Sequence, residues 1–168
     1  MFMKSQRPKL EIPLTTFEII LQVLALMGLA AGLLTVFLSW NGLPDKIPTH
    51  FGLAGTADAW GGKGSLFILP GMVLGMYILL SIVERFPHTY NYLCEITEQN
   101  AEVQYRNARM MIVCLKTGIV WLFGYIEWVT VQVAMGKAAG LGASFLPVFL
   151  LLMFGTVGFF IYRMVKYR

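Results

Sequence analysis

Charged residues are scarce in this sequence. They make up 13% of its 168 residues, whereas hydrophobic residues make up 57%. Soluble domains average about 25% charged residues and about 45–50% apolar residues. The shortage of charge argues against an ordinary water-soluble domain, and the length predicts one membrane domain over residues 1–168.

Cysteine and histidine are also rare, with two of each. Cys94 and Cys114 have neither CxxC spacing nor a nearby histidine, so a zinc or redox site has little support. A structural disulfide needs an oxidising compartment, and Cys94 falls in a predicted cytoplasmic segment. We therefore interpret both cysteines as packing residues and expect no cofactor.

Four long apolar runs dominate the composition. A helix needs roughly 20 residues to cross the ~30 Å hydrocarbon layer of a membrane, and the runs are of about that length. We therefore predict an all-α integral membrane protein, a bundle of four transmembrane helices. The predicted spans are residues 17–40, 66–83, 110–135 and 143–162.

Basic residues flank the apolar runs instead of forming one continuous face, which argues against a nucleic-acid partner. The two remaining connections carry only Lys46, Lys63 and Lys137. By the positive-inside rule, this asymmetry predicts a multi-pass protein of the bacterial inner membrane with cytoplasmic N- and C-termini. The residues assigned to the cytoplasmic side are Lys4, Arg7 and Lys9; Arg85, Arg106 and Arg109; and Arg163, Lys166 and Arg168.

Residues 84–109 are the polar cytoplasmic segment between the second and third spans. From Thr97 onward we predict a helix that leads into the third span, with Thr97 as its N-cap. Glu102 lies four residues before Arg106, a favourable spacing for an ion pair on a helix. We expect this helix to be solvated and to lie under the bilayer.

The polar connection between the first two spans, residues 43–65, is the most informative stretch. It holds both aspartates of the chain and one of its two histidines. Pro44 and Pro48 restrict their own backbone and that of the residue before each, so the chain around them should be extended and stiff. We expect an ordered extracytoplasmic loop that presents His50 and Phe51 at a defined position.

Three residues of this loop, Asp45, His50 and Asp58, are candidates for polar chemistry. Hydrogen bonds from Asp45 or Asp58 to turn amides are the favoured interpretation. A metal held by His50 and Asp58 is an alternative, although the spacing matches no ligand motif. A His–Asp acid–base pair is another. Lys63 either extends to the lipid headgroups or holds an anionic ligand.

Lys116 and Glu127 interrupt the third apolar run. Ionisable groups within a span are costly and usually face protein or water. We predict that Lys116 extends to the cytoplasmic headgroups and that Glu127 meets Lys63 or His50 beneath the loop. The alternative is a Glu127 that is protonated or paired only for packing.

Two small-residue spacings, GLAAG at residues 28–32 and GMVLG at residues 71–75, permit close approach of helices. We interpret them as packing of the first two spans against each other. Dimerisation is the alternative.

The loop sequence LPDKIPTHFGLAGTADAWGGK resembles the signature LPxxIPxHFxxxGxxDxxxxK of the bacterial domain-of-unknown-function family 1648. ITEQNAEVQYRNARMM, at residues 96–111, is similar to a second stretch of that family, TxENxxxQYxxxRxM. Gly52 departs from the pattern, because the family usually has asparagine there. The signature positions filled here are Leu43, Pro44, Ile47, Pro48, His50, Phe51, Gly55, Asp58 and Lys63.

The resemblance implies a membrane fold and location more than a mechanism. The family also includes longer relatives of the immunity protein against the Sdp toxin. That protein, as the resemblance implies, protects its host and signals by holding a transcriptional repressor at the membrane. This chain is shorter than those immunity proteins.

These observations predict a non-catalytic protein whose loop binds a peptide, a lipid or a protein partner, in an immunity-like or signalling role. The expected partners are membrane lipids and either a peptide or another membrane protein, and an oligomer is compatible with the sequence. The alternatives are a subunit of a larger complex or a small transporter, and a metal-dependent membrane enzyme. The candidate binding residues are Pro44, Asp45, Pro48, His50, Phe51, Gly55, Asp58, Lys63 and Glu127.

Overall fold

The computed structural model describes residues 7–168. Within this range four helices are long and apolar enough to cross a membrane, which confirms the predicted helical bundle. Lys4, which the sequence analysis assigned to the cytoplasmic side, lies outside the described residues. The helices are α1 (Thr16–Ser39), α2 (Ile68–Val83), α3 (Ala101–Ala134) and α4 (Phe145–Lys166).

Helix α1 begins with a capping box. The Thr15 hydroxyl accepts a hydrogen bond from the Glu18 amide at 3.2 Å, and the Glu18 carboxylate accepts one from the Thr15 amide at 2.7 Å. Such caps satisfy amides that have no partner within the helix and are worth about 1 kcal/mol. A 3-10 turn over Trp40–Gly42 extends the apolar segment to 27 residues, Thr16–Gly42.

Helix α2 is the shortest, with 16 residues. A 3-10 turn over Lys63–Phe67 precedes it, so that the apolar segment covers 21 residues. Pro70 lies in the first turn, where the missing N–H group has no intrahelical acceptor to lose.

Helix α3 is the central element, because it packs against the other three helices and against the loop. It is one continuous helix of 34 residues that includes the predicted cytoplasmic helix. It begins at Ala101, not at Thr97: the Thr97 amide donates to the Asn100 side chain at 2.9 Å, so the N-cap prediction was wrong. The predicted pair Arg106–Glu102 is confirmed, with 2.7 Å between nitrogen and oxygen.

The expectation that the first turns of α3 are solvated was also wrong. Ala101 and Tyr105 are fully buried, and they pack with Ile96 and with Ile12. Ile12 belongs to the N-terminal arm, the described residues 7–14 that precede α1. The preceding residues 84–100 are irregular apart from a 3-10 turn over Pro87–Thr89. The reason for the burial is that the arm and this irregular segment fold over one face of α3.

Gly28 lies at the contact between α1 and α3, not between α1 and α2 as predicted. A Cβ atom on Gly28 would lie 2.8 Å from Val120 Cγ1, and the Trp121 indole donates to the Leu24 carbonyl at 3.0 Å. At the other three glycines of the two spacings, an added Cβ atom would have no neighbouring atom within 4 Å; these are Gly32, Gly71 and Gly75. The predicted glycine contact between the first two spans is therefore absent from the described residues.

The connection between α1 and α2 is ordered, as predicted, but it is a β-hairpin. Strand β1 (Lys46–Phe51) pairs antiparallel with strand β2 (Ala57–Gly62). The ladder is irregular between Pro48 and Phe51, which leaves Thr49 without a paired residue. This small sheet is an addition to the predicted all-α architecture.

The connections lie at two ends of the bundle. At the hairpin end, the Leu141 amide of the α3–α4 link donates to the Gly55 carbonyl at 2.7 Å. At the opposite end, the Arg7 guanidinium donates to the His88 carbonyl, and the Gln104 side chain donates to the Met164 carbonyl at 2.8 Å. The N-terminal arm, residues 84–100 and the C-terminal turn thus share one end, which we call the arm end.

Candidate functional site

The hairpin is anchored to the helices at its base. Ile47 of β1 is 1% exposed and belongs to an apolar cluster with residues of α1, α3 and the flanking turns. The Lys63 amide donates to the Asp45 carbonyl at 2.9 Å and closes the base. The cluster comprises Val36, Leu43, Ile47, Leu66 and Val131. The hairpin is therefore a fixed part of the fold.

The tip of the hairpin is anchored by backbone contacts. Gly55 has a φ of +76°, a conformation that suits glycine, and a Cβ atom there would overlap the Gly142 carbonyl. A Cβ atom on Gly140 would in turn overlap the Gly55 carbonyl. The tip and the α3–α4 link can approach this closely only because both carry glycine.

His50 and Asp58 form a pair across the hairpin, with 2.6 Å between Nδ1 and Oδ1. Both side chains are exposed. A Cβ atom on Gly52 would lie 2.9 Å from Asp58 Oδ2, so glycine at this position leaves room for the carboxylate. Asp58 thus bonds the imidazole, and the favoured prediction of bonds to turn amides was wrong for Asp58.

Asp45 does not join this pair. It precedes β1 at the base of the hairpin, whereas His50 and Asp58 lie near the tip. In residues 7–168 there is no group of three His, Cys, Asp or Glu side chains placed to hold a metal ion. His50 and Asp58 could supply two ligands, so a metal there would need others from solvent or a partner.

A cleft of about 510 Å³ lies between the hairpin tip and helices α3 and α4. Its lining is mostly apolar, and its ionisable residues are the His50–Asp58 pair. It brings together four of the predicted site residues, His50, Phe51, Gly55 and Asp58. The other lining residues are Thr49, Gly52, Leu53, Ile126, Leu141, Gly142, Phe145 and Leu146.

Pro44, Pro48 and Lys63 lie elsewhere. Pro44 is exposed before β1, and Pro48 is buried in β1 opposite Trp60. The Lys63 ammonium lies 5.1 Å from the centroid of the Trp40 ring, a cation–π contact. Both prolines thus shape the hairpin and do not line the cleft.

Glu127 meets neither Lys63 nor His50, so that prediction was wrong. Its side chain is 2% exposed, and Oε1 has no hydrogen-bond partner among the described residues. It lines a second cavity of about 270 Å³ with residues of β1 and α2. Thr49, Phe51 and Ile126 border both this cavity and the cleft, which places them between the two.

Lys116 does not extend to the headgroups, contrary to the prediction. It is fully buried, and its ammonium contacts Gln22 at 2.7 Å, Ser81 at 3.0 Å and Glu84 at 2.8 Å. Gln22 also donates to Glu84 at 2.7 Å. The partners come from α1 and α2, so the sequence around Lys116 gave no sign of them. Elsewhere in the sequence, two polar residues could have indicated these partners: Gln22 within the first span and Glu84 at the end of the second.

A second buried ion pair joins α1 to α3 near the arm end. Arg109 Nε donates to Glu18 Oε1 at 2.7 Å, and its other nitrogens donate to the carbonyls of Ile12 and Pro13. Nearby, burial raises the pKa of Tyr90 to about 12, and its hydroxyl donates to the Val83 carbonyl at 2.7 Å. The arm end is therefore held by specific polar contacts.

The hairpin lies within a stretch of the chain that matches a known family. Residues 27–74 match the family described as a domain of unknown function (DUF1648). The matched residues run from the second half of α1 through the hairpin into α2. The cleft thus has one wall from the residues that match this family and one from α3, α4 and their link.

An uncharacterized protein of Archaeoglobus fulgidus is similar to this chain, with 32% identity over 87 residues. The match covers 47% of this chain and 48% of that protein. The chain therefore spans about half the length of the curated relative it matches. No solved structure matches the chain.

Proposed function

We propose that the protein binds a peptide in the cleft between the hairpin tip and helices α3 and α4, on the extracytoplasmic face of a bacterial inner membrane. The observation that supports this is the bond from the Leu141 amide to the Gly55 carbonyl, which fixes the hairpin tip against the α3–α4 link. The two walls are thus held in place before a partner arrives, and such preorganisation reduces the entropy lost on binding.

The lining suits an apolar peptide segment that carries a polar anchor. Small ligand sites are usually apolar with a few fixed polar groups, and here Phe51, Leu53 and Phe145 line the cleft together with the His50–Asp58 pair. Lipids and whole proteins are the other partners suggested by the sequence. A peptide segment fits a cleft of this volume better than a protein surface does.

The family resemblance and the length of α3 support an immunity-like or signalling role. This helix contributes Ile126 to the cleft, and at its other end Gln104 holds the C-terminal turn. We propose that occupation of the cleft is relayed along α3 to the arm end. In the immunity role, the bound peptide is a membrane-active toxin.

The alternatives have weaker support. A transporter that uses Glu127 with His50 and Asp58 needs a path between them, but β1 lies between their two cavities. A metal-dependent enzyme needs more ligands than the His50–Asp58 pair offers. Assembly as a subunit of a larger complex is compatible with peptide binding in the cleft.

Photocrosslinking in cells tests the proposal. Benzoylphenylalanine is placed at Leu53 and, separately, at Leu146, which both line the cleft, and at Trp60, an exposed hairpin position outside it. We expect adducts of peptide mass from the two cleft positions and none of that mass from Trp60. Equal yields at all three positions, or lipid adducts alone, contradict peptide binding in the cleft.

The polar pair supplies a second criterion. We expect Asp58→Asn to lower the crosslinking yield at Leu53 about tenfold, because the loss of an anchoring contact worth about 1.4 kcal/mol lowers affinity tenfold. The peptide recovered by mass spectrometry is then synthesised and added to cells. The immunity role predicts that cells without the protein are killed and that cells with it survive.

A further inference from the structure

Glu127 differs from the other buried charged residues of the bundle. Glu18 pairs with Arg109 and Lys116 pairs with Glu84, at 2.7 and 2.8 Å. Glu127 is buried to the same degree, but no described cation lies within ion-pair distance of it, and Oε1 has no partner. A buried polar group without a partner is costly, which suggests that a group from outside the chain meets this carboxylate.

The cavity beside Glu127 offers hydrogen-bond acceptors. Ser65 and Thr130 line it, and their hydroxyls donate to the carbonyls of Gly62 and Ile126, each at 2.8 Å. A hydroxyl has one proton to donate, so these two oxygens are left with acceptor capacity only. A ligand rich in donors and without acceptors fits this set, and a primary ammonium has three donors and no acceptor.

The α2 wall of the cavity reaches the outer surface of the bundle. Ile68 and Met72 line the cavity and are 61% and 56% exposed. In a membrane these side chains face lipid, because they belong to an apolar spanning segment. A hydrocarbon chain in the bilayer could therefore lie along them while its polar end enters the cavity.

We propose that this cavity binds the primary ammonium group of an amphiphile. The ammonium donates to Glu127 and to the hydroxyl oxygens of Ser65 and Thr130, and the hydrocarbon part lies along Ile68 and Met72. An aminophospholipid headgroup and a free long-chain amine share this chemistry. The site lies on the other side of β1 from the peptide cleft, so it does not rest on the proposed function.

Thermal unfolding of the full chain in a nonionic detergent tests the proposal. Dodecylamine is compared with dodecanol, which has the same chain length and no charge. We expect saturating dodecylamine to raise the unfolding midpoint by about 5 °C or more, and dodecanol to leave it unchanged. Glu127→Gln should abolish the shift. Glu102→Gln, on the same helix in an exposed pair, should retain it. Equal shifts with both compounds, or in Glu127→Gln, overturn the proposal.

A measurement on the unaltered protein covers the case in which Glu127→Gln fails to fold. Dicyclohexylcarbodiimide modifies carboxyl groups in apolar sites, and mass spectrometry reports modification of Glu127. An amine present at about ten times its dissociation constant should slow that modification about tenfold, and dodecanol should not. No protection by the amine overturns the proposal.

Lipid nanodiscs identify the source of the ammonium. Protection in phosphatidylethanolamine but not in phosphatidylcholine, whose quaternary nitrogen has no N–H donor, assigns the site to a lipid headgroup. Protection by dodecylamine in both lipids, with none from phosphatidylethanolamine itself, assigns it to a free amine. Protection from neither source contradicts the proposal.

Discussion

Single residues in this protein join local structure to tertiary structure. Glu18 caps α1 through Oε2, and both of its carboxylate oxygens accept hydrogen bonds from Arg109 on α3. Removing one member of a buried ion pair typically costs about 3–5 kcal/mol, because the other charge is left without compensation. Exposed ion pairs contribute about 1 kcal/mol or less.

Glu18→Gln is therefore expected to destabilise the fold by about 3 kcal/mol or more, since Arg109 would stay buried and charged. The midpoint of thermal unfolding in detergent should fall by about 6 °C or more. Glu102→Gln is the matched control, because its partner Arg106 is exposed, and it should shift the midpoint by only a few degrees. Similar losses in both variants would contradict the assigned role of the buried pair.

Gly55→Ala tests the backbone contact at the hairpin tip. Alanine would have to adopt a positive φ and its Cβ would overlap the Gly142 carbonyl, so we expect a loss of about 1–3 kcal/mol and displacement of the tip. Unfolding midpoints measure the loss, and protease sensitivity of the hairpin measures the displacement. Gly62→Ala, in open space on β2, should change neither. An unaltered Gly55→Ala protein would show that the tip is not held this way.

Among the elements, α1 packs closely against α3 at Gly28. Gly28→Leu should drive the helices apart, because even a Cβ atom would approach Val120 to 2.8 Å. Overpacking typically costs about 1–3 kcal/mol, and unfolding in detergent measures it. Gly32→Leu, one turn later in open space, is the control and should have little effect. A larger loss of stability in Gly32→Leu than in Gly28→Leu would show that α1 makes its closest contact through another face.

The helices could be predicted from the sequence because hydropathy and length are local properties. The hairpin was missed as a β-structure, although the extended backbone around Pro44 and Pro48 was expected from their geometry. The N-cap of α3 was misplaced by three residues, since Asn100 holds that position and its side chain accepts from the Thr97 amide. The four long helices thus followed from composition, whereas the hairpin pairing and the start of α3 depended on individual hydrogen bonds.

Contacts between distant segments could not be predicted in this way. Lys116 was assigned to the headgroups because its partners lie 94 and 32 residues away, at Gln22 and Glu84. Glu127 was placed on the correct side, beneath the hairpin, but its supposed partners are used elsewhere: Lys63 contacts Trp40 and His50 bonds Asp58. The residues of the cleft contributed by α3, α4 and their link carried no signal in the sequence.

At the scale of the whole molecule, the two ends of the bundle differ in charge. The hairpin end carries Lys46, Lys63 and Lys137. Apart from the buried Lys116, the other basic residues at positions 7–168 belong to the arm end. The positive-inside rule assigns the more basic end to the cytoplasm.

Cysteine accessibility tests this orientation. In a background of Cys94→Ser and Cys114→Ala, we expect Leu53→Cys at the hairpin tip to react with an impermeant maleimide in intact spheroplasts. Leu93→Cys at the arm end should react only after lysis. Both positions are exposed, at 84% and 72%, so accessibility within the protein does not bias the comparison. The reverse labelling pattern would invert the topology and place the cleft in the cytosol.

The tip of the hairpin is joined to the α3–α4 link through main-chain atoms, at Gly55 and Leu141. Side chains beside this joint, such as those of Leu53 and Leu141, are thus free to diversify while the joint persists, provided that the glycines stay. Descendants of one ancestral sequence could acquire new binding preferences at these positions without rebuilding the scaffold.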